Sequence, residues 1–241
     1  VPAQKALWKA AFGDEDRYID WFYECCGGSA DVLEVVEEGR LASMLALLPQ
    51  TLTLPGGGTA SGWYIYALAT DPGARSKGYG RQLLRFVDGY LAERGADCVT
   101  TVPAEPSLFK FFGTVGFAPC FSTRKLELLK SMLQPAAEGD RAEPVEPGEY
   151  NAIRRRLLEG APAVDYPEEL IRYQQGMGRL SGGGLYRLSV DGAEGCAAAE
   201  YTDGESVLFK ELLLSPDGAG TGTPRGALLC AHPCPVGWHE G

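Results

Sequence analysis

Residues 75–80, Arg-Ser-Lys-Gly-Tyr-Gly, constrain this chain more than any other stretch. They follow an aromatic and β-branched run at 63–70 and precede a run with apolar positions Leu83, Leu84, Val87, Tyr90 and Leu91. The first pattern predicts a strand, the second a helix closed by Arg94-Gly95, so the turn joins a strand to a helix. Gly78 and Gly80 carry no Cβ that would block close approach of a ligand to the backbone. The N–H groups at such a helix start face outward and suit a pyrophosphate, with Arg75 and Lys77 adding positive charge beside them. A Walker loop is excluded, because no Ser or Thr follows a Gly-Lys pair. A dinucleotide fingerprint fits poorly, since Leu83 stands where a third glycine would let helix and sheet pack closely. Taken alone, the turn is either a phosphate cradle or a plain helix start.

Its surroundings predict an α/β (α+β) chain. Two short helices over 6–26, broken at Gly13-Asp14, precede a hairpin of 32–37 and 41–54 turned at Glu38-Gly39-Arg40. Its loose alternation suits strands covered on both faces. A Gly56-Gly57-Gly58 turn leads into the strand at 63–70. After the helix come a buried strand at 98–102, a short helix at 106–115 ended by Gly116, and one or two strands over 117–129. Residues 134–148, acidic and with three prolines, have no periodicity and read as a linker. The pattern then restarts with helices at 150–158 and 167–175 and strands at 184–190, 195–202 and 206–214, joined by Asp191-Gly192 and Asp203-Gly204 turns. This order repeats the first seventy residues, so 149–241 reads as a second, partial copy of one unit, a convergent arrangement being the alternative. The expected organisation is a domain at 1–133, a linker at 134–148 and a partial domain at 149–241.

Composition narrows the partners. A net charge of −10 disfavours nucleic acid and is compatible with a cationic amine. No apolar run is long enough to span a bilayer, so no membrane partner is expected. Seven irregularly spaced cysteines argue against a disulfide scaffold. With no leader pattern at the start, the expected location is the cytoplasm. Cys230, His232, Cys234 and His239 bring four soft-metal ligands together, but without C-x-x-C spacing and stiffened by Pro233 and Pro235, so no metal is expected.

The segment from Tyr64 to Phe117 resembles the GNAT superfamily of acetyl-CoA-dependent N-acetyltransferases. The residues from Tyr64 through Pro72 resemble the family's fourth strand, and Arg75-x-x-Gly78-x-Gly80 its pyrophosphate loop. Leu108 to Phe117, ending Val115-Gly116-Phe117, resembles its last helix and the entry to its closing strand. The resemblance covers residues 1 to about 130. It implies a GNAT fold, a central mixed, mostly antiparallel sheet flanked by helices, followed by a partial GNAT-like αβ unit. Where the pyrophosphate loop should be, the second half offers Gly218-Ala219-Gly220-Thr221-Gly222-Thr223-Pro224 instead, so the chain resembles a tandem form with one degenerate half.

The resemblance further implies acetyl (or small acyl) transfer from acetyl-CoA to a primary amine of a small molecule or peptide, by direct attack in a ternary complex. Leu68, Ala69 and Thr70 would pair with the pantetheine arm, the amide near Leu68 holding the thioester oxygen. Arg75, Ser76, Lys77, Gly78, Tyr79, Gly80 and Arg81 would surround the pyrophosphate. Phe112 stands where many relatives carry a tyrosine that protonates the leaving thiolate. The thiolate then leaves unaided, or Tyr64, Tyr66 or Tyr79 substitutes, or the chain only binds CoA as a sensor or scaffold. A tyrosine at 112 would be tolerated there, its hydroxyl aimed at the sulfur. Glu105 is the candidate base, or else a carboxylate favoured at a helix start. A homodimer remains open.

Overall fold

In the computed structural model, residues 1–120, 136–202 and 206–215 are described. The chain divides into two compact units, one formed by residues 1–119 with 161–169, the other by 120–160 with 170–241.

The first unit opens with α1 (Pro2–Phe12) and α2 (Asp16–Cys26). Gly13, left-handed at φ 76°, ends α1 by donating its N–H to the Lys9 carbonyl at 2.9 Å. β1 (Asp31–Glu37) and β2 (Arg40–Leu54) pair antiparallel through a two-residue turn in which Glu38 and Gly39 both have positive φ. That turn matches the right-handed twist of the strands it joins. β3 (Gly58–Thr70) pairs antiparallel with β2 and starts five residues earlier than the sequence predicts. A 3-10 turn at Pro72–Ala74 leads to α3 (Tyr79–Ala92), followed by β4 (Cys98–Thr100), which runs parallel to β3, and α4 (Pro106–Gly113). β4 is shorter than expected, and its three residues are half-buried rather than buried. The closing strands expected over 117–129 lie almost wholly outside the described residues.

The second half adds β5 (Arg141–Pro144), α5 (Pro147–Leu157), β6 (Ala163–Asp165), α6 (Glu168–Leu180), β7 (Gly184–Val190), β8 (Ala193–Tyr201) and β9 (Val207–Leu214). β6 belongs to the first unit, pairing antiparallel with residues 51–53 of β2. The first sheet therefore has the order β1-β2-β3-β4 with β6 added beside β2, mixed but mostly antiparallel, as the resemblance implies.

Period-2 alternation sends β2 and β3 side chains to two apolar faces. Leu45, Leu47 and Ile65 join Leu83, Leu84, Val87 and Leu91 of α3 and Phe112 of α4 in one core cluster. Trp8 and Phe22, from α1 and α2, pack against Tyr66 with ring centroids 5.2 and 5.3 Å away. Strands covered on both sides explain the loose alternation in sequence.

In the second unit the sheet order is β5-β7-β8-β9, all antiparallel. β5 lies inside the stretch whose prolines suggest a linker. It is an exposed edge strand, where Pro144 at its end breaks no inner ladder. The β7–β8 turn again uses two positive-φ residues, Asp191 and Gly192. β9 carries a bulge: Ala198 faces Glu211 but Ala199 faces Phe209, leaving Lys210 extra. Beside it Glu211 is buried, accepting from Tyr150 Oη at 2.6 Å and from Arg154 Nε at 2.9 Å.

Candidate active site

The 75–80 turn is tightly shaped. Asp71 Oδ1 accepts the Gly73 N–H at 2.8 Å, starting the 3-10 turn that delivers Arg75. Ser76 and Gly78 both adopt left-handed backbone, at φ 66° and 86°, on either side of Lys77. For glycine this is free, whereas for Ser76 it costs about 1–2 kcal/mol, strain of the kind concentrated at functional turns. Gly78 is the N-cap of α3 and has no side chain with which to cap it, and no acidic residue sits in the first turn. The first-turn amides therefore keep their capacity for an anion.

Gly80 differs from Gly78 in kind. A Cβ there would meet Thr70 Oγ1 at 3.6 Å and Phe111 Cζ at 3.7 Å, ordinary contacts. The fold itself does not require glycine at this position, whereas a backbone approached by a ligand does. Phe111 also enters the site here. Sequence reasoning passes over it, because the family comparison points to its neighbour Phe112.

Next to the turn, β3 is broken in register. Met44 faces Ala69 and Ala46 faces Tyr66, so Leu45 opposes both Ala67 and Leu68. This is a β-bulge, and Ala67 takes a positive φ of 50° within it. On its other edge β3 pairs with β4 only from Gly62 to Tyr64. Beyond that, Thr101 Oγ1 reaches the Ile65 carbonyl at 3.3 Å, and β4 has ended. The bulge thus lies where this edge of β3 is free of β4. Ser43 Oγ holds the end of the strand, donating to the Ala69 carbonyl at 2.7 Å and lying 3.0 Å from Thr70 Oγ1.

The opposite face of the bulged strand is aromatic. Tyr66 is buried, with its hydroxyl 3.3 Å from that of Tyr18 and its ring stacked on Tyr64. Trp8 donates Nε1–H to Asp14 at 2.7 Å. Tyr23 on α2 is raised to about 12, by burial first and then by the charge of Glu34.

The remaining predicted residues scatter around this centre. Leu68 is partly buried against the core cluster, and Ala69 is buried. Arg75 and Arg81 are exposed, with Arg81 Nη2 3.3 Å from Thr114 Oγ1 after α4. Glu105 is the exposed N-cap of α4 and makes no side-chain capping bond. Phe112 is buried within the core cluster, its ring 5.4 Å from that of Phe117. Lys77 and Tyr79 both bind Glu37, the last residue of β1, which the sequence does not mark. Among the described residues, no group of three or more His, Cys, Asp or Glu is placed to hold a metal. The run Cys230 to His239 and the segment Gly218 to Pro224 lie outside the described residues.

A mixed sheet whose bulged strand passes through a turn into a helix with glycine at its N-cap defines the class: this is the GNAT fold. Residues 1–119 match the family model described as an acetyltransferase (GNAT) domain, and this part of the chain belongs to the GNAT superfamily. GNAT domains use acetyl-CoA as co-substrate. Among solved structures, a GCN5-related N-acetyltransferase from Anabaena variabilis is similar at 15% identity and a TM-score of 0.64, over 88% of this chain and 56% of that one. Eis1 from Mycobacterium abscessus is similar at 14% identity and a TM-score of 0.54, over 84% of this chain and 57% of that one. This chain thus spans little more than half the length of either structure, and at these identities the likeness is one of fold. No curated protein matches the sequence.

Proposed function

We propose that the unit built on residues 1–119 transfers an acetyl or other small acyl group from acyl-CoA to a primary amine of a small molecule or peptide, by direct attack in a ternary complex. One observation carries the reading. The start of α3 adjoins the bulged end of β3, whose edge beyond Tyr64 has no ladder partner among the described residues, so a helix start suited to an anion and an open strand edge are continuous. Gly80 supports the fit, since its missing Cβ answers no need of the described fold.

Acetyl-CoA, when bound, supplies an activated thioester carbonyl. The chain's part is to orient and stabilise. Amides from Gly78 to Arg81 would hold the pyrophosphate, helped by the charges of Arg75 and Lys77 and by Ser76. Backbone groups of Leu68, Ala69 and Thr70 would pair with the extended arm. The bulge would turn the Leu68 amide out of the ladder toward the carbonyl oxygen, where negative charge develops. Binding both substrates side by side supplies much of the rate. Glu105, through a water, would accept the ammonium proton, and the Tyr66 hydroxyl would serve proton transfer on the aromatic face. The acidic chain suits a cationic acceptor.

The test is calorimetry with CoA, paired with free-thiol release from acetyl-CoA across a panel of amines. One CoA per chain is expected, because the Arg-x-x-Gly-x-Gly run of the second half, Arg179 to Gly184, leads from α6 into β7 and not from a strand into a helix start. Arg75→Ala should weaken binding by about 1.5–3 kcal/mol, as loss of a charge-assisted contact does. Gly80→Val should abolish binding at an unchanged melting temperature. A folded Gly80→Val protein that binds CoA as the parent does overturns the proposal. Binding without thiol release would leave a CoA sensor or scaffold.

A further inference from the structure

Lys77 and Tyr79 flank Gly78, and both side chains converge on one carboxylate forty residues away in sequence. Lys77 Nζ donates to Glu37 Oε2 at 2.9 Å and to Oε1 at 3.1 Å, and Tyr79 Oη donates to Glu37 Oε1. Glu37 is the last residue of β1, immediately before the rigid Glu38-Gly39 turn. The carboxylate therefore ties the turn to the sheet, at the two residues bracketing the left-handed N-cap glycine. Ser76, held at φ 66°, needs such a constraint to stay in a sparsely populated conformation.

We propose that Glu37 is a positioning residue of the acyl-CoA site, holding the 76–79 turn in its anion-cradling shape through Lys77 and Tyr79. The inference rests on the acyl-CoA reading above. Two effects of Glu37 oppose each other. Its negative charge repels a nearby phosphate, but between exposed charges in water this is weak and fades with salt. Loss of two charge-assisted bonds that preorganise the turn is worth more, about three- to tenfold. Positioning outweighs repulsion, so removing the anion should weaken binding of another anion. The hydrogen bond from Tyr79, then that from Lys77, hold Glu37 below its ordinary carboxylate range, and the same contacts raise Tyr79 and Lys77. The tie is therefore complete at neutral pH and is lost only as pH falls through the lowered value.

The experiment is CoA calorimetry on the full chain, at low and at high salt, with melting temperatures recorded. Glu37→Ala should bind CoA about three- to tenfold more weakly, and Glu37→Gln should recover most of that loss, its amide oxygen still accepting from both partners. Tyr79→Phe should weaken binding in the parent and change nothing further in the Glu37→Ala background. Should Glu37→Ala not fold, Tyr79→Phe and Glu37→Gln carry the same comparison. Unchanged or tighter binding in Glu37→Ala, or additive losses in the double variant, overturns the proposal while leaving the acyl-CoA site standing. A parent chain that binds no CoA overturns both.

Discussion

The Phe112 ring is buried with the apolar side chains of Leu45, Leu47, Ile65 and the inner face of α3. Sequence comparison suggests that a tyrosine would be accepted here with its hydroxyl aimed at the thioester sulfur. Burial sets a different expectation. A hydroxyl carried into this cluster loses its water and must find a partner or cost about 1–3 kcal/mol. Phe112→Tyr should therefore lower stability by that amount in urea denaturation, and raise kcat only if its hydroxyl escapes the cluster. Phe111, one position earlier, packs against the edge of the same cluster and ends beside Gly80. Adjacent helix positions point about 100° apart, so a shift of one residue exchanges a ring inside the cluster for one at its edge next to the 75–80 turn.

At the scale of elements, the bulge in β3 matters most. Ala67 sits at φ 50°, where glycine is at ease and a β-branched residue is strained. In a regular strand, replacing alanine by glycine costs about 0.5–1 kcal/mol in backbone entropy. At position 67 that cost is offset by relief of about 1–2 kcal/mol of left-handed strain. Ala67→Gly should thus be close to neutral in chemical denaturation, whereas Ala67→Val should cost more than about 1 kcal/mol. Loss of CoA binding in a folded Ala67→Val chain would add support for the bulge as the carbonyl site. A full strand penalty in Ala67→Gly would instead show that the bulge is not what sets the backbone there.

At the scale of the whole chain, the second unit answers the first with a bulge of opposite character. Where β3 carries Ala67 and Leu68, β9 carries Lys210 and Glu211, both buried, with Arg154 and Glu211 paired at 2.9 Å. Breaking such a pair leaves one buried charge unmatched, so Glu211→Ala should destabilise by about 3–5 kcal/mol. Burial, and then Glu211, push the neighbouring Cys196 thiol from 9.0 to about 12, and burial raises Tyr150 well above its ordinary value. Both groups are neutral in either state below pH 9, where their contribution to stability is complete. Between pH 9 and about 12 the unfolded chain releases the Cys196 proton while the folded chain keeps it, so stability should fall steadily across that window. Urea denaturation from pH 7 to 11 checks this. Alkylation at pH 8 should leave Cys196 unmodified until the chain unfolds, and fast labelling of the folded chain would contradict its burial.

By itself the sequence determined what depends on neighbours along the chain. The strand, the Gly78-x-Gly80 turn and α3 are local, because strand periodicity, a left-handed glycine and an amphipathic face each need only a dozen residues. The hairpins with paired positive-φ residues at 38–39 and 191–192 were legible for the same reason. Tertiary structure decided whatever depends on register or on distant partners. The bulge at Ala67 exists only against β2, and the free edge beyond Tyr64 only because β4 stops at Thr100. Glu37 meets Lys77 across forty residues, and β6 joins β2 from more than a hundred residues downstream. β5 escaped notice because an exposed four-residue edge strand ending in proline carries no alternation to read. Propensity and periodicity are sums over neighbours, whereas pairing register and burial are set by which distant segments close around them, and those contacts leave no local mark.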